Sequence, residues 1–196
     1  MSGGPVVVVG AGLTGLVVAF RLASRGAKVI LVERDARTGG QIHTGREDGV
    51  VVELGAEGFG ARSESLPRLC RDLGVEGELI DQATTLTFAL EGSELTELLP
   101  GEAAKILGFQ VPREELGRGI RSMRRGMGQL IETLADAIEG RVSRRLDAAL
   151  HVETSGDGAV VELASGEKLV GSCVVVATPA ARAAEILARA GSEAVS

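Results

Sequence analysis

Gly10-Ala11-Gly12-Leu13-Thr14-Gly15 places glycine at the first, third and sixth positions of a hexapeptide. That spacing serves the binding of a diphosphate to backbone amides. Gly10 permits a tight turn, Gly12 leaves the main chain open to an approaching pyrophosphate, and Gly15 lets a helix pack closely on the preceding strand. The orphan N–H groups of the first helical turn then face the phosphates, helped by the helix dipole. Short glycine patterns arise by chance in a chain with 28 glycines, so the surrounding elements decide the matter. Glu33 follows Gly15 by eighteen residues, where a carboxylate accepts both ribose hydroxyls of an adenosine. A 2′-phosphate would be repelled there, which disfavours NADP.

The elements needed to hold these residues are legible. Val6–Val9 is an unbroken β-branched run between Pro5 and Gly10, suited to a strand buried on both faces of a parallel sheet. Residues 13–24 predict a helix closed by Gly26, and 29–32 predict a second buried strand ending at Glu33. Together they make a βαβ unit of about 30 residues. Asp48-Gly49 divides 41–54 into a hairpin. Residues 63–73 predict a helix capped by Ser63, with Leu66, Leu69, Cys70 and Leu73 on one face. Two short strands are expected around Glu91-Gly92 within 86–99, and 100–119 reads as a connecting region. Residues 128–138 predict a helix with Leu130, Ile131, Leu134 and Ile138 on one side. Segments 146–153, 159–163 and 168–170, split by Gly156-Asp157-Gly158 and Ser165-Gly166, predict an antiparallel meander. A last buried strand at 173–177 and a helix from 179 to 190 complete the chain.

Composition narrows the function classes. A formal charge of −6 leaves no basic surplus to neutralise phosphates, so nucleic acid is not the expected partner. With no Trp or Tyr and four Phe, stacking platforms for bases are largely lacking. No apolar run reaches the ~18 residues of a membrane span, and no basic region precedes the first apolar stretch as a signal peptide requires. Cys70 and Cys173 read as reduced core residues of a cytoplasmic protein. His43 and His151 lack a spaced ligand or triad set and read as surface or turn residues. Arg118, Arg121, Arg124 and Arg125 form the one basic cluster, read first as a solvated face and alternatively as a docking surface for a partner or an acidic substrate. Glu53 and Glu57 are expected to hydrogen-bond backbone around Gly55, and Met123 and Met127 to fill core.

After Glu33 the chain runs Arg34-Asp35-Ala36-Arg37-Thr38-Gly39-Gly40. This resembles the FAD-dependent amine oxidase superfamily, which includes monoamine oxidases and protoporphyrinogen oxidases and carries roughly acid-x-x-x-Arg-x-Gly-Gly after the acid. Arg37 is positioned to compensate charge near the pyrophosphate, while Gly39 and Gly40 let the chain pass close to the cofactor. Val50 to Glu57 is similar to the family's strand and Gly-rich turn at the flavin end, which implicates Gly55, Ala56 and Glu57. The stretch 65–80 is nearest to protoporphyrinogen oxidases, and Arg125 to Leu130 is similar to their glycine pair ahead of a helix. Ala149 falls near the position whose backbone meets adenine, and Ala177-Thr178-Pro179 ends the strand that returns to the cofactor. The resemblance implies FAD as cofactor, held by residues 10–15, Glu33, Arg34, Arg37, Gly39, Gly40, Gln41, Gly55, Ala56, Glu57, Ala149 and Ala177. It implies an α/β fold: an FAD-binding Rossmann-like parallel sheet with an inserted antiparallel β-meander and flanking helices. The whole of 1–196 is then one FAD-binding domain, with 5–57 as the βαβ and Gly-rich segment, 58–127 as a remnant of an inserted cap region, and 128–190 as helix, meander and returning strand.

Departures bear on function. Members usually carry Arg directly after the Gly-Gly pair, where this chain has Gln41. They are also far longer, and most of the helical substrate region expected near 111–119 and the C-terminal segment that adds a sheet strand have no counterpart. A sheet lacking that strand exposes an edge, so homo-oligomerisation or a partner protein is expected to complete the fold and cover the flavin. Three functions compete: an oxidase-like flavoprotein oxidoreductase with no assigned catalytic side chain, a non-catalytic FAD-binding module, and an NAD-binding protein, against which Arg37, Gly39 and Gly40 argue.

Overall fold

In the computed structural model β1 (Val6–Val9) leads through the glycine turn into α1 (Leu13–Ala23), which returns to β2 (Val29–Glu33). The described residues are 3–84, 86–106, 108, 119–156 and 158–188. A hairpin follows, β3 (Thr44–Glu47) and β4 (Val50–Glu53). Its turn is made by Asp48 and Gly49, with φ of 49° and 81°, the left-handed pair that a two-residue hairpin needs. Chain contacts then divide the molecule into Met1–Ala56 with Met127–Ser196, and Glu57–Gly126.

The second unit holds β5 (Phe59–Gly60), α2 (Ser65–Asp72), a 3-10 turn at Glu76–Glu78, β6 (Leu79–Asp81), β7 (Thr87–Glu91), β8 (Glu94–Leu98), α3 (Glu102–Ile106) and β9 (Ile120–Met123). β9 is the centre of a three-stranded sheet between β5 and β6, and β7 and β8 pair with each other about Gly92. Ser63 does not cap α2 as expected. The helix begins two residues later, behind Glu64 with no side-chain cap, and the Ser63 N–H closes a turn onto the Gly60 carbonyl at 2.9 Å. The expected connecting region contains α3, whose start is fixed by the Glu102 carboxylate accepting from the Leu99 N–H at 2.7 Å. Arg118 and most of the expected substrate region lie outside the described residues. Met123 is buried against Cys70. Burial, followed by the nearby Glu76 carboxylate, pushes the Cys70 thiol up, so it stays protonated and inert.

The first unit resumes with α4 (Gly128–Ile138), β10 (Ser143–Leu146), β11 (Ala149–Ser155), β12 (Gly158–Leu163), β13 (Lys168–Gly171), β14 (Cys173–Val176) and α5 (Ala180–Leu187). Its main sheet is parallel throughout, in the order β10-β2-β1-β14. Side chains alternate along β1. Val7 and Val9 join a core with Val161, Leu163 and Leu169 of the meander and Ile186 of α5, which leaves Val8 to the opposite face. There α1 and α4 pack together, burying Leu16, Ala19, Leu130 and Leu134.

β10 corrects the sequence reading. Leu146 was expected to open the meander, but it ends a fourth strand of the parallel sheet, and the meander starts at Ala149. Ser143-Arg144-Arg145-Leu146 is an edge strand open to water on one side, so it carries no apolar run by which to recognise it. Cys173 also departs from expectation: it is exposed, at the start of the strand that ends the sheet on its other side. The helix expected over 179–190 is described only as far as Leu187.

Glu53 does not serve the backbone around Gly55. Its carboxylate accepts from the Met127 N–H and, at 2.6 Å, from the Thr44 hydroxyl, while Thr44 Oγ1 accepts from the Gly128 N–H at 2.7 Å. The hairpin thus caps α4, putting a negative charge at the positive end of its dipole. Glu53→Ala leaves the Met127 N–H and the Thr44 hydroxyl without their carboxylate acceptor and is expected to cost about 2 kcal/mol, lowering the melting midpoint by roughly 4–8 °C. Glu53→Gln, which keeps an acceptor, should recover most of that loss in the same thermal melt.

Candidate functional site

The glycine turn is held by the protein's own packing at two of its three glycines. Gly10 has φ of +102°, and a Cβ there would sit 2.7 Å from the Ala177 carbonyl oxygen. A Cβ on Gly15 would lie 1.8 Å from the Gly10 carbonyl oxygen. Gly12 differs. Its backbone is ordinary, with φ −71° and ψ 178°, and an added Cβ would approach only Gly40 Cα, at 4.0 Å. Nothing in the fold requires glycine at position 12. The first intrahelical bond is from Leu16 N–H to the Gly12 carbonyl, so the amides of Leu13, Thr14 and Gly15 have no partner within the helix. No acidic side chain stands in that first turn, which leaves it open to an anion.

Glu33, at the tip of β2, reaches back to this turn. Its Oε2 accepts from the Ala11 N–H at 2.7 Å and its Oε1 from the Asp35 N–H at 3.0 Å. Each carboxylate oxygen keeps further acceptor capacity. The Gly39-Gly40 segment crosses beside the turn: Gly39 N–H donates to the Ala11 carbonyl at 2.8 Å, and a Cβ on Gly40 would come within 3.2 Å of Gly12 Cα. Arg37 braces this crossing. Its guanidinium donates to the carbonyls of Thr38, Gly40 and Ile42 at 3.1, 2.7 and 2.8 Å. Gln41 carries the brace onward by accepting from the Ala56 N–H at 3.0 Å.

These pieces line one cleft of about 930 Å3, at the upper end of the range for cofactor sites. Of the residues singled out in the sequence, Gly10, Gly12, Leu13, Thr14, Glu33, Arg34 and Arg37 border it. Gly39, Gly40, Gln41, Ala56, Ala149 and Ala177 do so as well. Ala11 and Gly15 stand buried behind that lining. Gly55 packs against Gln41, whose carbonyl oxygen an added Cβ would meet at 2.0 Å. Glu57 belongs to the second unit, exposed, with its carbonyl accepting from the Ser122 hydroxyl at 2.8 Å.

The far wall contains residues that sequence reasoning missed. Asp147 follows β10, and its N–H donates to the Glu33 carbonyl at 2.8 Å. The Ser165 hydroxyl beside it, joined by backbone N–H groups including that of Ala148, holds its carboxyl below the usual range. Arg182 of α5 donates to the Ala149 carbonyl at 2.7 Å. Both residues border the cleft, Asp147 through the register of β10 beside β2 and Arg182 through the packing of α5 on β11. His43 is exposed. His151 is not a surface residue as expected: its side chain is only 15 % exposed, on β11 with Nε2 3.3 Å from Glu162 and 3.5 Å from Glu153. Among the described residues no cluster could hold a metal, and no helix is long and apolar enough to cross a membrane.

A family model for an NAD(P)-binding Rossmann-like domain matches residues 8–73. A second, for flavin containing amine oxidoreductases, matches residues 101–194. The two matches, with the relatives that follow, support the FAD-dependent amine oxidase superfamily. Coproporphyrinogen III oxidase of Bacillus subtilis is 35% identical over 102 residues, covering 49% of this chain and 22% of that enzyme. The L-amino-acid oxidase of Mus musculus is 36% identical over 115 residues, covering 57% and 18%. The chain therefore spans about a fifth of the length of these curated relatives. A provisionally assigned protoporphyrinogen oxidase from Exiguobacterium superposes with a TM-score of 0.74 at 20% identity, over 97% of this chain and 63% of that one. At that identity the likeness speaks to the fold alone, and it places this chain on the same α/β scaffold as that protein.

Proposed function

We propose that the cleft binds FAD and that the protein is an oxidoreductase of the protoporphyrinogen and amine oxidase type. The observation that carries the proposal is Gly12. A glycine whose Cβ would meet only Gly40 Cα, at 4.0 Å, at the mouth of a helix whose first amides have no acceptor within the helix, is explained by a ligand that needs the room. A pyrophosphate there would accept from the Leu13 and Thr14 amides. Glu33 would hold the adenosine ribose through the capacity left on its carboxylate, and with Asp35 beside it would repel a 2′-phosphate. Arg37 would act by holding Gly39 and Gly40 in place more than by touching the phosphates, because three carbonyls already draw on both of its terminal nitrogens.

A bound flavin supplies hydride abstraction and passes electrons to an acceptor. This chain's residues bind and orient it, and no side chain is assigned as acid or base. β10 and β14 end the described sheet, which favours a second chain, a further copy or a partner, that extends it and covers the flavin. Free Cys70 and Cys173 suit the reducing cytoplasm. The test is a reduction cycle on purified protein. Dithionite should bleach an oxidised flavin band, and admission of air should restore it. A band that stays bleached in air would favour a non-catalytic flavin-holding module over an oxidase.

A further inference from the structure

The ribose end of the cleft lacks the partner that a purine base ordinarily finds. Among the described residues no aromatic side chain lines the cleft, although bases gain much of their binding energy by stacking on flat groups. The flat cationic groups among the described lining are the guanidinium planes of Arg34, Arg37 and Arg182. Arg37 is committed to the carbonyls of the Gly39-Gly40 crossing. Arg34 is 66% exposed and turned to Asp35. Arg182 is only 32% exposed and is held from two sides, donating through Nη2 to the Ala149 carbonyl and through Nη1 to Glu185. Donation from two of its nitrogens to separate acceptors restrains the planar guanidinium where it borders the cleft. Its position is the relevant one. Asp147 N–H bonds to the Glu33 carbonyl, two residues further on Ala149 accepts from Arg182, and Glu33 and Arg182 border the same cleft.

We propose that Arg182 is the stacking residue for the adenine of the bound dinucleotide, and that it thereby biases the cleft toward FAD over the mononucleotide FMN. The inference rests on the cleft being a dinucleotide site. A planar cation over a purine face is favourable and poorly replaced by lysine, whose ammonium offers a point charge without a flat surface.

Calorimetric titration of the purified chain and of Arg182→Met and Arg182→Lys, with ADP, inorganic pyrophosphate and FMN as probes, tests it. Both substitutions should weaken ADP by about tenfold while pyrophosphate and FMN change by less than about twofold. The lysine variant keeps the charge and a donor for the Ala149 carbonyl, so it separates stacking from charge and from folding. Equal weakening of ADP and pyrophosphate would reduce Arg182 to a phosphate-attracting charge and overturn the inference. So would ADP affinity preserved in both folded variants. If the unsubstituted chain takes up FAD and ADP while these variants behave like it, only the role of Arg182 falls. If it takes up neither, the dinucleotide reading falls with it.

Discussion

Gly12→Val is expected to give a folded chain that no longer takes up flavin. Valine accommodates the extended backbone at position 12, φ −71° and ψ 178°, and its Cβ would have Gly40 Cα as nearest neighbour at 4.0 Å. The fold therefore loses little: roughly 1 kcal/mol for replacing glycine at a helix N-cap by an apolar residue. The two methyl groups, however, would stand in front of the Leu13 and Thr14 amides where a pyrophosphate must sit. Excluding it should lower FAD affinity by at least about 100-fold, some 3 kcal/mol. Flavin absorbance after reconstitution, read beside a thermal melt, checks both halves. A variant that melts normally and holds a full complement of flavin would remove the reason for glycine at this position.

Gly15→Ala, three residues along the same hexapeptide, should fail in the opposite way. Its new methyl would lie 1.8 Å from the Gly10 carbonyl oxygen. That oxygen cannot retreat, because the Gly10 N–H is bonded to Val32 and Gly10 itself sits at φ +102° against Ala177. Relief requires α1 to lift from β1, which breaks the packing of Leu16 and Ala19, both essentially inaccessible to water. A cost above about 4 kcal/mol is expected, seen as insoluble protein or a melting midpoint lowered by more than roughly 8 °C. FAD should restore part of the stability of whatever fraction folds, since ligand binding favours the native state by mass action. The two substitutions together separate a glycine kept for a ligand from one kept for the fold.

The first half of the site was readable because its determinants are local. Four valines, a glycine turn, an amphipathic helix and an acid at the end of the next strand lie within residues 6–33, and each constrains its neighbours. Asp48-Gly49 was equally plain, since only left-handed residues close that hairpin. What escaped reading depends on contacts between distant segments. Glu53 caps a helix 74 residues away, and no spacing rule links the two. β10 is four residues long and polar on an edge, so it offers neither an apolar run nor an alternation of usable length. Its register beside β2 is what brings Asp147 to Glu33, and the packing of α5 on β11 brings Arg182 to Ala149. β5, β6 and β9, of two to four residues each, become strands only through one another. Cys173 was misjudged for a related reason: an apolar run announces a strand but not whether that strand ends the sheet.

The amides at the head of α1 and the carboxylate of Glu33 are held to act on one molecule, a flavin adenine dinucleotide. The most direct measurement is to purify the chain under native conditions, saturate it with FAD, remove the excess, and quantify the nucleotide released on denaturation. Close to one FAD per chain, falling to a small fraction in Gly12→Val with an unaltered melt, is the predicted result. A well-folded protein that carries no flavin and gains none from a large excess of FAD would contradict it.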